Sequence, residues 1–158
     1  MENGRRPTRL PQFDYGSPGA YFITICTRGR ACVLSGITVG AGLCARPDVT
    51  LTEIGAEVER AIVYINRAYP GVSVETYAIM PNHVHLLLLM EERPGGDGAP
   101  PLQQIIGRMK SYTTRRYGDK LWQRSYYDHV VRGEEDYLEI WRYIDENPAK
   151  WAEDRFYR

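Results

Sequence analysis

The stretch VSVETYAIMPNHVHLLLLM, residues 72–90, constrains the fold more than any other part of the chain. Its first nine residues are rich in β-branched and aromatic side chains, and Pro81-Asn82 has turn chemistry before a second apolar run. Residues 72–80 and 83–90 are therefore predicted to be antiparallel neighbours. Side chains two apart on a strand share a face, so His83 and His85 project together. The alternate positions form core on the opposite face: Val84, Leu86, Leu88 and Met90.

Three amphipathic helices are predicted from apolar residues at helical spacing. The first follows Thr50 and Glu53, which have capping-box spacing, and stops before Pro70-Gly71. The second contains Leu102 to Tyr112. The third begins at acidic residues 134–136, which suit a helix N-terminus, and ends at Pro148.

The order of these elements indicates the fold class. Strands are also predicted at residues 21–27 and 126–132, while 29–50 is a loop or loose hairpin and 93–100 a flexible loop. The resulting order predicts an α+β fold: a ferredoxin-like antiparallel sheet (β-α-β-β-α-β) with helices packed on it and a C-terminal helix.

A single domain spanning residues 20–158 is expected for a chain of 158 residues, after an irregular arm at 1–19. No signal peptide opens the sequence, and no apolar run reaches the roughly 18–20 residues of a membrane helix. The three cysteines lack metal-ligand spacing such as C-x-x-C. A cytoplasmic protein without a membrane partner is therefore expected.

Basic charge is segregated, although the formal net charge of the chain is zero. Residues 101–132 carry seven basic and two acidic side chains, and this excess of +5 can bind a polyanion or cover a solvated helix face. The candidates for nucleic-acid contact are Arg108, Lys110, Arg115 and Arg116, with Arg5, Arg6 and Arg9 in the N-terminal arm.

Two parallel imidazoles are a natural half-site for a divalent metal, although a hydrogen-bonded structural pair has the same spacing. The third helix adds Tyr143 and Asn147, which are four residues apart and share a helical face at the border of its apolar stripe. Together these side chains offer two imidazoles, an amide oxygen and a phenol. His129 is either a phosphate contact or hydrogen-bonded support near the site, or a sheet histidine paired with Asp128 or backbone, and it is left out of the catalytic set.

The segments YAIMPNHVHLLLLM, IIGRMKSYTTRRY, LWQRSYYDHVVR and YIDENPAKW resemble the single-tyrosine HUH transposases, in particular the REP-associated tyrosine transposase, or IS200-like, branch. HUH denotes His–hydrophobe–His, here His83-Val84-His85. The resemblance implies a DNA endonuclease and strand transferase that cleaves single-stranded DNA at hairpins. It implies that His83, His85 and Asn147 bind Mg²⁺ or Mn²⁺, that Tyr143 on the C-terminal helix forms a 5′-phosphotyrosine link, and that the protein is a monomer or a homodimer.

Two alternatives stay open at this stage. The first is a protein that binds DNA or RNA hairpins without cleaving them, and the second is a metal-dependent hydrolase of a small phosphoester that does not use Tyr143. Tyr126 and Tyr127 are the rival nucleophiles, and with Trp122 they are candidates to stack on unpaired bases, although Trp122 also suits the core.

Overall fold

A computed structural model describes residues 19–39, 46–91 and 100–157. Within these ranges the strands and helices are β1 (Gly19–Cys26), β2 (Ser35–Val39), β3 (Pro47–Leu51), α1 (Glu53–Ala68), β4 (Val72–Ile79), β5 (His83–Met90), α2 (Leu102–Tyr117), β6 (Tyr127–Val130) and α3 (Gly133–Glu146). Short 3-10 segments lie at Arg28–Arg30 and Pro148–Glu153. Among the helices of the described ranges, none has the length and apolarity needed to cross a membrane.

The main sheet has the strand order β4-β5-β1-β6, and each neighbouring pair is antiparallel. β5 lies between β1 and β4, which are parallel to each other, so α1 completes a split β-α-β unit. The predicted ferredoxin-like α+β fold is therefore confirmed, and so are the tight connection between β4 and β5 and the C-terminal helix.

The two faces of this sheet have different coverings. On one face Ile23, Ile25, Leu86 and Leu88 form a core with the buried residues of α1 and α2. On the other face a smaller core contains Cys26, Met80 and Leu87, together with Ile140 and Ile144 of α3 and Trp151 and Phe156 of the C-terminal segment. The predicted alternation along β5 is thus confirmed, and both histidines lie on the face that α3 covers.

The boundaries before α1 differ from the prediction. Thr50 lies in β3, which pairs with β2 as a separate two-stranded sheet, so the hairpin alternative for residues 29–50 is confirmed for its described strands. The N-cap of α1 is Thr52, whose hydroxyl accepts a hydrogen bond from the Gly55 amide at 3.1 Å. The prediction of a Thr50–Glu53 capping box was wrong. Thr50 pairs with Gly36 in the β2–β3 sheet, and β3 continues to Leu51, the residue before the cap.

Parts of three predicted segments fall outside the described ranges. These are residues 1–18 of the arm, with Arg5, Arg6 and Arg9, residues 40–45 of the segment 29–50, and residues 93–99 of the loop 93–100.

Two helical glycines should respond in opposite directions to substitution by alanine. A Cβ at Gly55 would lie 1.9 Å from the Leu34 carbonyl oxygen, whereas a Cβ at Gly107 would meet nothing within 4 Å. Gly55→Ala is therefore expected to lower the free energy of unfolding by about 1–3 kcal/mol through overpacking. Gly107→Ala should raise it by about 1 kcal/mol through helix propensity. Urea unfolding measures the free energy of unfolding of both variants. Equal changes in Gly55→Ala and Gly107→Ala would contradict the packing of α1 against Leu34.

Candidate active site

His83 and His85 form the centre of the site. Their Nε2 atoms lie 3.1 Å apart, and both side chains are almost completely buried. The pairing of β5 with β1 places Cys26 opposite His83 and Thr24 opposite His85. The strand periodicity placed both imidazoles on one face of the sheet, and in the fold their rings are in contact at an interplanar angle of 73° rather than parallel.

The outer nitrogen of each imidazole has its own hydrogen-bond partner. Nδ1 of His83 lies 2.9 Å from Oδ1 of Asn82, and Nδ1 of His85 lies 2.8 Å from the Thr24 hydroxyl. The Asn82 amide nitrogen donates to the Phe156 and Arg30 carbonyls, so its Oδ1 is left to accept from His83. This assigns the proton of neutral His83 to Nδ1 and leaves a lone pair on Nε2.

Both histidines are held in the neutral form. Burial lowers the pKa of His83 to about 4, against the opposing effect of the Asp154 carboxylate. Burial lowers the pKa of His85 well below its ordinary value, and the charge of a protonated His83 lowers it further. Neutral imidazole is the form that coordinates a metal ion, so neither group has to lose a proton at neutral pH before it can bind one.

α3 places Tyr143 against this pair. The ring centroid of Tyr143 is 5.3 Å from that of His85 and 6.0 Å from that of Phe22, while 45% of the residue stays exposed. Burial raises the pKa of the Tyr143 phenol, the Asp154 charge raises it further, and Arg155 and the Asn147 side chain oppose the rise. The phenol is consequently protonated at neutral pH and is partly exposed to solvent.

Asn147 follows directly after α3 with helical backbone angles, so it lies one turn beyond Tyr143 as the spacing predicted. It is buried, and its Nδ2 donates to Oδ2 of Asp154 at 3.2 Å. Its Oδ1 has no hydrogen-bond partner among the described residues. A buried carbonyl oxygen left in this state normally has an ion or water as its partner.

Asp154 is a site residue that the sequence reasoning missed. Pro148–Glu153 turns the chain back, and Oδ2 of Asp154 comes to lie 3.7 Å from Nε2 of His83 with its side chain 2% exposed. One potential ligand atom from each of His83, His85 and Asp154 lies within 4.8 Å of the other two. The acidic residue after the prolyl turn in NPAKWAED was the available signal, but nothing in its spacing indicated a reversal toward the histidines.

The four predicted DNA contacts of α2 lie in a different layer, because α2 packs on the sheet face opposite the histidines. Lys110 donates to the carbonyls of Gln123 and Arg124, at 2.8 and 3.2 Å, and so anchors the segment before β6. Arg116 lies beside the Tyr112 hydroxyl and Glu57, whereas Arg108 and Arg115 border open grooves.

The remaining candidates are three aromatic residues, which differ in burial, and His129. Tyr126 and Trp122 are buried in the α1–α2 core, which makes both unsuitable for stacking on a base, whereas Tyr127 is 48% exposed. Nε2 of His129 lies 2.8 Å from Oδ2 of Asp136, so His129 links β6 to the first turn of α3. None of the four side chains contacts the imidazole pair in the ring contacts of the described residues.

Comparison with known proteins identifies one family member by sequence. No protein-family model matches the chain. An uncharacterized protein of Haemophilus influenzae is 32% identical over 174 residues, an alignment that covers 97% of this chain and 93% of that protein. The chain belongs to the family of that protein.

Two solved structures share the fold of this chain. A REP-associated tyrosine transposase bound to a REP hairpin matches with a TM-score of 0.63 at 22% identity, over 95% of this chain and 74% of that one. A putative transposase from Deinococcus radiodurans R1 matches with a TM-score of 0.50 at 20% identity, over 92% of this chain and 97% of that one. The fold expected from the resemblance to the HUH transposases is thereby confirmed.

The buried imidazoles make a prediction about stability. The folded pKa of His83, about 4, lies below the unfolded value of 6.5, so the unfolded state binds more protons between these limits. The contribution of His83 is complete above pH 6.5 and declines as pH falls toward 4, by a total of about 3 kcal/mol. Urea unfolding of the metal-free protein should therefore show that the free energy of unfolding falls less between pH 6.5 and pH 5 in His83→Gln than in the wild type.

The control for this experiment is Gln104→Ala, which alters an exposed side chain of α2 that carries no titratable group. It should keep the wild-type pH dependence over the same range. If the free energy of unfolding changes with pH to the same extent in the wild type and in His83→Gln, the neutral, buried state of His83 is contradicted.

Proposed function

We propose that this protein is a metal-dependent single-stranded DNA endonuclease and strand transferase of the transposase type, which cleaves at DNA hairpins through Tyr143. The observation that carries the proposal is the position of the Tyr143 ring, 5.3 Å from the ring of His85, whose Nε2 is 3.1 Å from that of His83. A half-exposed phenol beside two neutral imidazoles is the combination required for metal-assisted attack on a phosphodiester.

The donor set fits a divalent ion. His83 offers the lone pair of Nε2, His85 offers its own when its proton lies on Nδ1 toward the Thr24 hydroxyl, and Asn147 offers its unpartnered Oδ1. Asp154 orients the Asn147 amide and adds a carboxylate within reach of the same ion. Oxygen ligands suit Mg²⁺ and Mn²⁺, and the two histidines favour Mn²⁺. When bound, the ion would neutralise charge on a non-bridging phosphate oxygen and orient the phosphorus.

Tyr143 is assigned the role of nucleophile. Its oxygen bonds to phosphorus as the bond from phosphorus to the 3′ oxygen breaks, which gives a 5′-phosphotyrosine and a free 3′-hydroxyl. The phenol loses its proton and the 3′ oxygen gains one. The link conserves the energy of the phosphodiester, so the 3′-hydroxyl of another strand can reverse the step without a nucleotide cofactor.

Hairpin DNA is the substrate that the comparisons favour, because the REP-associated tyrosine transposase of the same fold was solved bound to a REP hairpin. The basic excess of residues 101–132 provides electrostatic attraction for a polyanion. Arg5, Arg6 and Arg9 remain candidates for further contacts from the N-terminal arm.

Tyr143→Phe tests the nucleophile. Removal of one oxygen should eliminate the covalent adduct with hairpin DNA in Mn²⁺, while hairpin affinity and the free energy of unfolding stay close to the wild type, because the ring contacts remain. A denaturing gel with end-labelled DNA detects the adduct. Tyr127→Phe, which alters another half-exposed tyrosine, should keep adduct formation at the wild-type level.

Two results of that gel would oppose the proposal. An adduct in Tyr143→Phe would show that another residue is the nucleophile. Tight hairpin binding by the wild type, without any adduct in Mg²⁺ or Mn²⁺, would favour a hairpin-binding protein that does not cleave.

The ligand set makes a separate prediction. Asp154→Asn removes the carboxylate that fixes the Asn147 amide, and loss of such a supporting group typically weakens metal binding by about 10–100-fold. Mn²⁺ titration calorimetry should show this loss, and adduct formation should recover at high Mn²⁺. His83→Ala with His85→Ala should bind no ion and form no adduct at any Mn²⁺ concentration.

Glu146→Gln provides the control, because Glu146 is exposed and pairs with Lys150 on the outside of the same region. It should bind Mn²⁺ like the wild type. Full adduct formation by the double histidine variant in chelator would exclude the metal role.

A further inference from the structure

A groove of about 680 Å³ lies between α1 and α2, on the side of the sheet opposite the histidines. Its floor is apolar and includes Ala61 and Ile65 of α1 with Ile105 and Met109 of α2. Its other lining residues include three arginines and three tyrosines and no acidic side chain: Arg60, Tyr64, Tyr69, Arg108, Tyr112 and Arg115. The groove thus combines positive charge with aromatic rings.

Neighbouring side chains hold the aromatic rings in place. The Arg108 guanidinium lies over the Tyr69 ring, 5.9 Å from its centroid, and donates to the Tyr69 hydroxyl at 3.4 Å. The Tyr112 hydroxyl donates to Glu57 at 3.0 Å. Tyr64 is 62% exposed, so its ring is available to a ligand without any rearrangement of the core.

The groove continues along the outer surface of α2. A shallower depression of about 460 Å³ shares Arg108 and Arg115 with it and is otherwise lined by Gln104, Gly107 and Ser111. Gly107 lies in the helix interior, where glycine costs about 1 kcal/mol relative to alanine, yet a Cβ there would meet nothing. Packing among the described residues therefore gives no reason for the glycine, and its effect is to keep the surface between the two arginines open.

We propose that this groove binds an unpaired segment of nucleic acid, with bases on the tyrosine rings and phosphates paired with Arg108 and Arg115, since Arg60 is already ion-paired with Glu57. Stacking on aromatic side chains in a basic groove is how proteins hold single strands without reading their sequence. A duplex is excluded as the occupant because its base faces are already stacked. The inference rests on the proposed function, since it extends the same DNA substrate from the Tyr143 site to the opposite layer of the fold.

The DNA would then contact the protein on both faces of the main sheet. The histidine site acts on one phosphodiester, while the α1–α2 groove holds unpaired DNA that flanks the hairpin and has passed around an edge of the sheet. Affinity for the flanking strand then resides in residues that do not touch the scissile phosphate.

The test uses the full-length protein and a fluorescent, hairpin-free oligothymidylate of about 16 nucleotides, in chelator so that the metal site does not contribute. Fluorescence anisotropy should show that Tyr64→Ala weakens binding by about 5-fold or more, since each stacked base contributes roughly 1–3 kcal/mol. Arg108→Ala and Arg115→Ala should each reduce the slope of log affinity against log salt by about 0.7.

Matched controls are Tyr117→Ala, an exposed tyrosine at the end of α2, and Arg67→Ala, an exposed arginine of α1, neither of which lines the groove. Both should bind the oligothymidylate like the wild type. Unchanged affinity in Tyr64→Ala together with unchanged salt slopes in both arginine variants would overturn the groove assignment, even if the wild type forms the Tyr143 adduct.

The converse result separates the two proposals. If the groove variants lose binding while the wild type forms no adduct with any hairpin, single-strand binding by the groove stands and the cleavage function fails. Binding of an acidic peptide but not of the oligothymidylate would overturn the nucleic-acid assignment.

Discussion

The antiparallel register of β1 against β5 is the constraint on which the rest of the structure depends. It sets Thr24 beside His85 and Cys26 beside His83, and it gives the α1–α2 core the alternate residues of both strands. A slip of one residue along β5 would exchange the two faces, so the imidazoles would enter the apolar core and the leucines would face α3. The burial of Leu86 and Leu88 under two helices therefore also fixes the position of the site.

The same face of the sheet gathers polar groups that a protein interior usually excludes. Two imidazoles, an amide and a carboxylate lie beneath α3 and the C-terminal segment, where each unpaired group carries a desolvation cost. Asn82 and Thr24 satisfy the outer nitrogens of the histidines, and Asp154 satisfies the Asn147 amino group. Oδ1 of Asn147, which has no hydrogen-bond partner among the described residues, is one of the atoms assigned to the metal. Binding of a divalent ion would thus give a function to polar groups whose burial otherwise lowers the stability of this small core.

The parts of the fold and site that follow local periodicity could be predicted from the sequence. The two-residue alternation along His83–Met90 predicted that both histidines lie on one face of the sheet. The four-residue spacing of Tyr143 and Asn147 predicted that they share a face of the helix. Asp154 could not be found in this way, since its place depends on a reversal after Pro148 and on the burial of Trp151 and Phe156. The α1 cap was misplaced because a threonine at Thr50 and one at Thr52 are both plausible caps until the β2–β3 pairing is known. The α1–α2 groove could not be predicted either, since its residues come from two helices that β4 and β5 separate along the chain.

Identification of the nucleophile tests the central claim most directly. The wild-type protein is incubated with hairpin DNA and Mn²⁺, digested with protease and nuclease, and the peptide that retains a nucleotide is sequenced by tandem mass spectrometry. The account predicts a single phosphotyrosine link, on Tyr143 in the peptide that contains IWRYIDENP. A link on Tyr127, or on any residue other than Tyr143, would contradict it.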